Sequence, residues 1–228
     1  MPSCEWGSRF HGQARRSTGA MTTERKKHWD GVYSSKASTE VSWYQEIPDR
    51  SLELIGASGI SLNDAIIDVG GGASTLVDHL LDAGCGDLTV LDLTETALEH
   101  SRERLGERAD AVNWIVSDVV HFEPQRLYRL WHDRAVLHFL TDATDRERYV
   151  DVLKRALAPG GCAVIATFGP AGPLKCSGLE IRRYTVRMLE ELLGAEFELQ
   201  SHEVANHRTP MGATQQFLYS SWSRRGQQ

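Results

Sequence analysis

Three short segments combine residue types that suit binding of a nucleoside. The first is Asp68-Val69-Gly70-Gly71-Gly72-Ala73-Ser74. Glycines in such a run allow a tight turn and let a ligand approach the backbone. A helix that follows the turn aims its first N–H groups at that ligand. The second segment is Asp92-Leu93, 24 residues after Asp68. A carboxylate there can accept hydrogen bonds from both hydroxyls of a ribose. The third is Asp118-Val119, a further 26 residues on. Its carboxylate can accept from an exocyclic amine such as that of adenine. Each feature alone has an ordinary structural use as a tight turn or a helix cap. Their order, and their shared place at the ends of apolar runs, point to one site.

The elements that must position them follow from periodicity. Residues 65–69, 88–91, 112–116 and 162–168 are short apolar runs that read as strands, and 129–132 reads as a weaker one. Between them Leu76, Val77, Leu80 and Leu81 recur at helical spacing, as do Ala97, Leu98 and Leu105 after a Thr94 cap. Residues 145–157 form a third such helix, ended by Pro159-Gly160-Gly161, and Leu52, Leu54 and Ile55 mark an earlier one. Alternation of this kind predicts a parallel sheet with helices on both faces, with ligands beyond the carboxyl ends of the strands. After residue 169 the pattern changes to a Gly/Pro-rich loop (169–183), a helix (185–193) and two strands (197–204 and 215–222) that form an antiparallel pair.

The glycine turn discriminates among nucleoside cofactors. Gly70 and Gly72 can open a GxGxxG dinucleotide fingerprint, but Thr75 stands where its third glycine belongs. That disfavours an NAD-dependent oxidoreductase. With Asp68 two residues ahead of Gly70, the segment resembles motif I of class I S-adenosylmethionine-dependent methyltransferases. The resemblance covers roughly residues 40–222. Leu91-Asp92 is similar to the family's motif II, and Ser117-Asp118 to its adenine position. His132-Asp133-Arg134-Ala135-Val136-Leu137-His138-Phe139-Leu140 is similar to the fourth-strand segment, and Leu157-Ala158-Pro159-Gly160-Gly161 to the turn before strand five. Ser74 departs from the third glycine of many members. The resemblance implies a single Rossmann-like domain with a seven-stranded sheet, mostly parallel, whose last strand is antiparallel. It also implies S-adenosyl-L-methionine as cofactor.

Within the family, His28-Trp29-Asp30, Tyr33 and Glu40-Val41-Ser42-Trp43-Tyr44 resemble the N-terminal arm of elongation-factor lysine methyltransferases, as does Ala73-Ser74-Thr75-Leu76. The fourth strand differs: that branch carries an Asp-Lys-Gly-Thr-like segment, and this chain has His132-Asp133-Arg134-Ala135. The expected acceptor is therefore a small molecule, with a protein lysine as the alternative. A cofactor-binding module without catalysis is a further reading.

Methyl transfer is an in-line displacement at an electrophilic sulfonium, so alignment and exclusion of water supply most of the catalysis. A general base is needed only when the nucleophile arrives protonated. His138, with His132 behind it, is the candidate base or positioner. Asp133 and Arg134 are candidates for the methionine carboxylate or amine, directly or through the backbone, and Trp43 and Tyr44 for a lid, since aromatic faces attract cations. The cofactor set is thus Asp68, Gly70, Gly71, Gly72, Asp92, Leu93, Asp118, Val119, Asp133, Arg134, Trp43 and Tyr44. The loop 169–178 is expected to overhang the acceptor pocket, and His207 and Arg208, between the last two strands, can face it and bind an acidic acceptor or form a solvated hairpin tip.

Composition bounds the rest. The 228 residues carry a net charge of −6. Residues 1–29 hold six Lys/Arg and two Glu, a net +4, which leaves the body at −10. An acidic body argues against a nucleic-acid partner. No apolar run is long enough to span a membrane. The leader lacks the apolar stretch of a secretory signal. Cys4, Cys85, Cys162 and Cys176 show no metal-ligand spacing. These features predict a cytoplasmic protein without a metal. The expected organisation is a tail (1–24), an arm and helix over the site (25–60), the methyltransferase domain (61–222) and a second tail (223–228).

Overall fold

The computed structural model describes residues 18–226. Most of the expected tail, residues 1–17, lies outside them. The apolar runs form β1 (Ile66–Val69), β2 (Leu88–Asp92), β3 (Val112–Val116), β4 (Tyr128–Arg134) and β5 (Leu157–Phe168). The first two and the middle of β4 are buried throughout, as central parallel strands covered on both faces must be. Pairing runs parallel from β3 through β2, β1 and β4 to β5. β9 (Thr214–Arg224) then joins β5 antiparallel, and β8 (Phe197–Arg208) closes the sheet on β9, giving the order β3-β2-β1-β4-β5-β9-β8. The predicted seven-stranded sheet with an antiparallel last strand is what forms.

Helices cover both faces. α3 (Leu76–Asp82) and α4 (Glu95–Leu105) bury Leu76, Leu80 and Leu98 against Ile66, Val90 and Val164, with Ile55 of α2 (Asp49–Ala57). On the opposite face α5 (Ala143–Ala156) and α6 (Val186–Leu193) bury Tyr149, Leu153 and Leu189 against Ile67, Trp131 and Ile165. Thr94 caps α4 by accepting from the Ala97 N–H at 3.3 Å, as its sequence position predicts.

Several boundaries differ from the sequence reading. α1 (Thr18–Ser35) begins inside the segment read as tail. It has no apolar period because tertiary contacts hold it: Tyr33 is buried, and Arg25 pairs with Asp118 and Asp145. The Pro159-Gly160-Gly161 turn lies inside β5, where Gly160 takes φ 72° and the β4 register shifts. The loop 169–183 contains a small hairpin, β6 (Lys175–Cys176) and β7 (Leu179–Glu180), turned at Ser177 and Gly178 with φ 48° and 79°. Ser223 and Arg224, placed in the second tail, still pair in the sheet.

One buried contact ties β4 to α5. The Tyr149 hydroxyl donates to Asp133 at 2.7 Å and accepts from the Trp131 indole N–H at 3.1 Å. Tyr149→Phe keeps the packing and removes that donor from a buried carboxylate. The expected loss is about 1.5–3 kcal/mol of unfolding free energy, the scale of hydrogen bonds to charged groups. Urea denaturation checks it, and an unchanged midpoint would show Asp133 satisfied without Tyr149.

Candidate functional site

The site is built where β1, β2, β3 and β4 end. At the first, Gly70 adopts φ 69° and donates its N–H to Leu91 O at 2.7 Å, which a side chain at this position would strain. A Cβ on Gly71 would collide with the Asp68 carboxylate, and one on Gly72 with that of Asp92 and with Ala97. The glycines thus make room for two carboxylates. Asp68 accepts from His132 Nδ1 at 2.7 Å, and His132 Nε2 meets Ser51 Oγ at 2.8 Å. All three groups are buried. His132 is therefore a brace for the turn, placed behind it.

Asp92 accepts from the Thr94 N–H at 3.0 Å. Burial pushes its pKa up to about 6, against the pull of the Thr94 and Leu93 backbone donors. Asp118 accepts from Val120 N at 3.2 Å with one oxygen. Its other oxygen takes Thr22 Oγ1 at 2.9 Å and Arg25 at 3.0 Å, so α1 already engages the group expected to read an amine.

Beyond β4 the chain turns at Ala135, which takes φ 77°, a costly conformation outside glycine. Asp133 thereby points inward. Its carboxylate accepts from Val136 N at 2.8 Å, Leu137 N at 3.1 Å and Tyr149, and burial pushes it up to about 6. Its side chain is fully buried and used by the fold, which leaves the backbone as its expected route to the methionine tail. Arg134 points the other way. Its Nε donates to Tyr219 OH at 3.1 Å and its Nη1 to Trp43 O at 2.9 Å. Its guanidinium lies 4.7 Å over the Phe217 ring. Nη2 is buried without a partner among the described residues.

Two adjoining cavities result. The larger runs from Asp92, Leu93, Ser117, Asp118 and Val119, past Gly70 and Val136, to Phe139 and Cys176, roofed by Arg25, Trp29, Tyr33 and Trp43. The smaller is polar, lined by Ser38, Tyr44, Gln45, Asp68, Gly71, Ser74, Thr75 and His132. Tyr33, Trp43, Gly70 and Arg134 face both. The roof is an aromatic group: Trp29 stands edge-on to Trp43 at 5.6 Å and to Phe139 at 5.0 Å.

His138 lines neither cavity. It is fully buried, its ring 4.5 Å from those of Phe139 and Phe168. Its Nδ1 accepts from Phe168 N at 3.3 Å, which leaves the proton on Nε2, and Nε2 has no partner among the described residues. Burial and then Arg134 push its pKa down to about 3, so it is neutral. It sits one layer behind Phe139 with its basic lone pair occupied, and is not poised as a general base. His207 Nε2 donates to Ser42 O at 2.8 Å. With Arg208 it borders a separate groove beside Tyr44 and Gln45, which corrects its placement at the acceptor pocket. The loop 169–178 does reach the cleft, through Cys176. Arg25, Trp29, Tyr33 and Phe139 were not expected site residues. The density of aromatics in 26–48 was the signal for Trp29 and Tyr33, Phe139 stood in the fourth-strand segment, and Arg25 had no local signal. Among the described residues no His, Cys, Asp and Glu group can hold a metal.

Comparison with known proteins agrees with this geometry. Residues 66–161 match the model of a methyltransferase domain. Nodulation protein S of Rhizobium tropici is 37% identical over 92 residues, 40% of this chain and 37% of that protein. Nodulation protein S of Sinorhizobium fredii (strain NBRC 101917 / NGR234) is 34% identical over 132 residues, 58% of each. The chain thus spans less than two thirds of the curated relatives it matches. Among solved structures, the N-methyltransferase NodS from Bradyrhizobium japonicum WM9 in complex with S-adenosyl-l-homocysteine superposes with TM-score 0.65 at 18% identity. That match covers 85% of this chain and 97% of that one. The 1,6-didemethyltoxoflavin-N1-methyltransferase of Burkholderia thailandensis gives TM-score 0.67 at 20% identity over 95% and 93%. The fold is that of the class I S-adenosylmethionine-dependent methyltransferases.

The raised pKa of Asp92 has a consequence for stability. A carboxyl at about 6 in the fold holds its proton longer than in the unfolded chain. Its contribution is full below the unfolded value and is lost as pH rises through about 6. Asp92→Asn removes this titration. The stability difference between variant and parent is expected to shift in the variant's favour by about 1–3 kcal/mol between pH ~4 and ~7. Parallel pH curves in urea would rule the shift out.

Proposed function

We propose that this chain, whose residues 66–161 form a methyltransferase domain, transfers a methyl group from S-adenosyl-L-methionine to a nitrogen, oxygen or sulfur atom of a small molecule. The observation that carries this reading is the shared cavity of Gly70, Asp92 and Asp118 beneath an aromatic roof. The residues fit the cofactor. Asp92, as carboxylate, accepts from the ribose hydroxyls, with Leu93 beside it. Asp118 accepts from the adenine amine once Thr22 and Arg25 yield it, and Val119 packs on the ring. The polar cavity at Gly71, Asp68, Ser74 and Tyr44 takes the methionine tail, with Gly72 behind it making room for Asp92 and Asp133 contributing only backbone. Trp43 covers the sulfonium, as aromatic faces do for cations. When bound, the cofactor supplies an electrophilic methyl group.

The structural neighbours named as N-methyltransferases support small-molecule transfer. A lysine ammonium entering the cleft would meet the cation of Arg134, which disfavours the lysine reading. Thr75 Oγ1, at the place of a dinucleotide fingerprint's third glycine, donates to Gln45 O of the arm at 2.9 Å, a contact a glycine could not make. Among the described residues no helix is long and apolar enough to cross a membrane, and Cys85, Cys162 and Cys176 are free thiols. With the acidic body, these support a cytoplasmic enzyme.

Asp92→Ala is expected to weaken S-adenosylhomocysteine binding by about 2–3 kcal/mol in calorimetry, the scale of charge-assisted hydrogen bonds. Unchanged affinity would remove Asp92 from the site. Incubation with methyl-labelled S-adenosylmethionine and extract of the source organism should place label among small molecules. Label in precipitated protein would instead establish the lysine reading, and cofactor binding with no transfer a non-catalytic module.

A further inference from the structure

Resting on that reading, the half of the large cavity away from Asp92 and Asp118 is left for the methyl acceptor. Its walls are Trp29, Trp43, Phe139, Ala135 and Cys176, with the guanidinium of Arg134. The aromatic faces suit a flat molecule. The polar groups are one-sided. The carboxylates that line this cavity, Asp92 and Asp118, both lie at its nucleoside end. His138 behind Phe139 has its lone pair taken by Phe168 N–H. The Tyr33 hydroxyl and the Cys176 thiol are both held protonated, chiefly by burial. In the groove outside, Glu180 pairs with Lys175 at 2.7 Å and Asp145 with Arg25 at 3.1 Å. What this half offers is the guanidinium of Arg134, which borders both cavities and is fixed by Phe217, Tyr219 and Trp43 O, with Nη2 buried and without a partner among the described residues. A buried donor without an acceptor is costly and marks a place where a ligand can satisfy it.

We propose that the methyl acceptor is a flat, acidic nucleophile already ionised when it binds, such as a phenolate, a thiolate or a deprotonated ring nitrogen, and that Nη2 of Arg134 holds its negative charge. The anionic atom donates a lone pair to the methyl carbon. The carbon–sulfur bond breaks towards sulfur, neutral S-adenosylhomocysteine remains, and no proton changes hands. This accounts for an acceptor half in which none of the described lining residues is a free base. It excludes an aliphatic amine, which arrives as an ammonium, needs a base and is repelled by Arg134. Arg134 is then a specificity-determining residue, anchored on β9 rather than on the nucleoside side of the sheet.

The test uses the whole chain loaded with S-adenosylhomocysteine, titrated with 4-nitrothiophenolate and, separately, with benzylamine, which is of similar size and protonated. The loaded protein is expected to bind the thiolate at least tenfold more tightly than the amine. Arg134→Gln should weaken thiolate binding by tenfold or more and leave S-adenosylhomocysteine affinity within about threefold, which also shows that the variant is folded. Arg134→Lys should recover part of the thiolate affinity. Equal binding of the two probes, no binding of the thiolate, or an unchanged preference in Arg134→Gln would overturn the proposal. So would a tenfold loss of S-adenosylhomocysteine affinity in Arg134→Gln, which would make Arg134 a ligand of the methionine carboxylate. Failure of the parent chain to bind S-adenosylhomocysteine at all is a different result and defeats the methyltransferase reading itself.

Discussion

Burying carboxylates at the carboxyl edge of a parallel sheet is the constraint on which this structure turns. Asp68, Asp92 and Asp133 end or nearly end β1, β2 and β4, and each is almost wholly removed from water. A buried charge must be paired or hydrogen-bonded. The chain meets this requirement differently each time. Asp68 takes His132, Asp92 the backbone of the following helix, and Asp133 two backbone N–H groups and Tyr149. Those partners fix the turns after the strands. Gly71 and Gly72 stand where the Asp68 and Asp92 carboxylates leave no room for a side chain, and the positive φ of Ala135 turns the chain where Asp133 is held inward.

The same arrangement divides neighbouring residues between support and contact. Along β4, Asp133 is committed to the fold, while His132, braced by Asp68, borders the polar cavity and Arg134 reaches both cavities. Adjacent positions on one strand thus have opposite roles, set by the turn at Ala135. His138 shows the consequence: it lies beside the cleft in sequence and in space, yet Phe139 is what faces the ligand.

The cleft is closed by an element with little structure of its own. α1 has no apolar stripe and is held by what it covers: Arg25 bridges Asp118 and Asp145, and Trp29 and Tyr33 pack on Trp43 and Phe139. A bound nucleoside would compete with Arg25 for Asp118, so covering the site and binding the ligand are coupled. The low-dielectric, roofed space also strengthens each polar contact within it.

The sequence by itself determined the sheet, its helices and the nucleoside half of the site. Those signals are local: apolar runs set strands, and the residue that ends a strand is where ligands bind in such a sheet. Gly70, Asp92, Leu93, Asp118 and Val119 line the cleft for that reason. Trp43 and Tyr44 were legible as aromatics in an otherwise polar arm. Tertiary structure alone decided the acceptor half. Whether His138 faces ligand or core depends on Phe168, 30 residues away, whose N–H takes its lone pair. The direction of Arg134 depends on Tyr219, 85 residues away, and on Trp43, 91 residues away. The first helix depends on Asp118 and Asp145, which periodicity cannot report. Spacing along the chain encodes which face a residue takes, but which partner completes a buried hydrogen bond is settled only when distant segments meet.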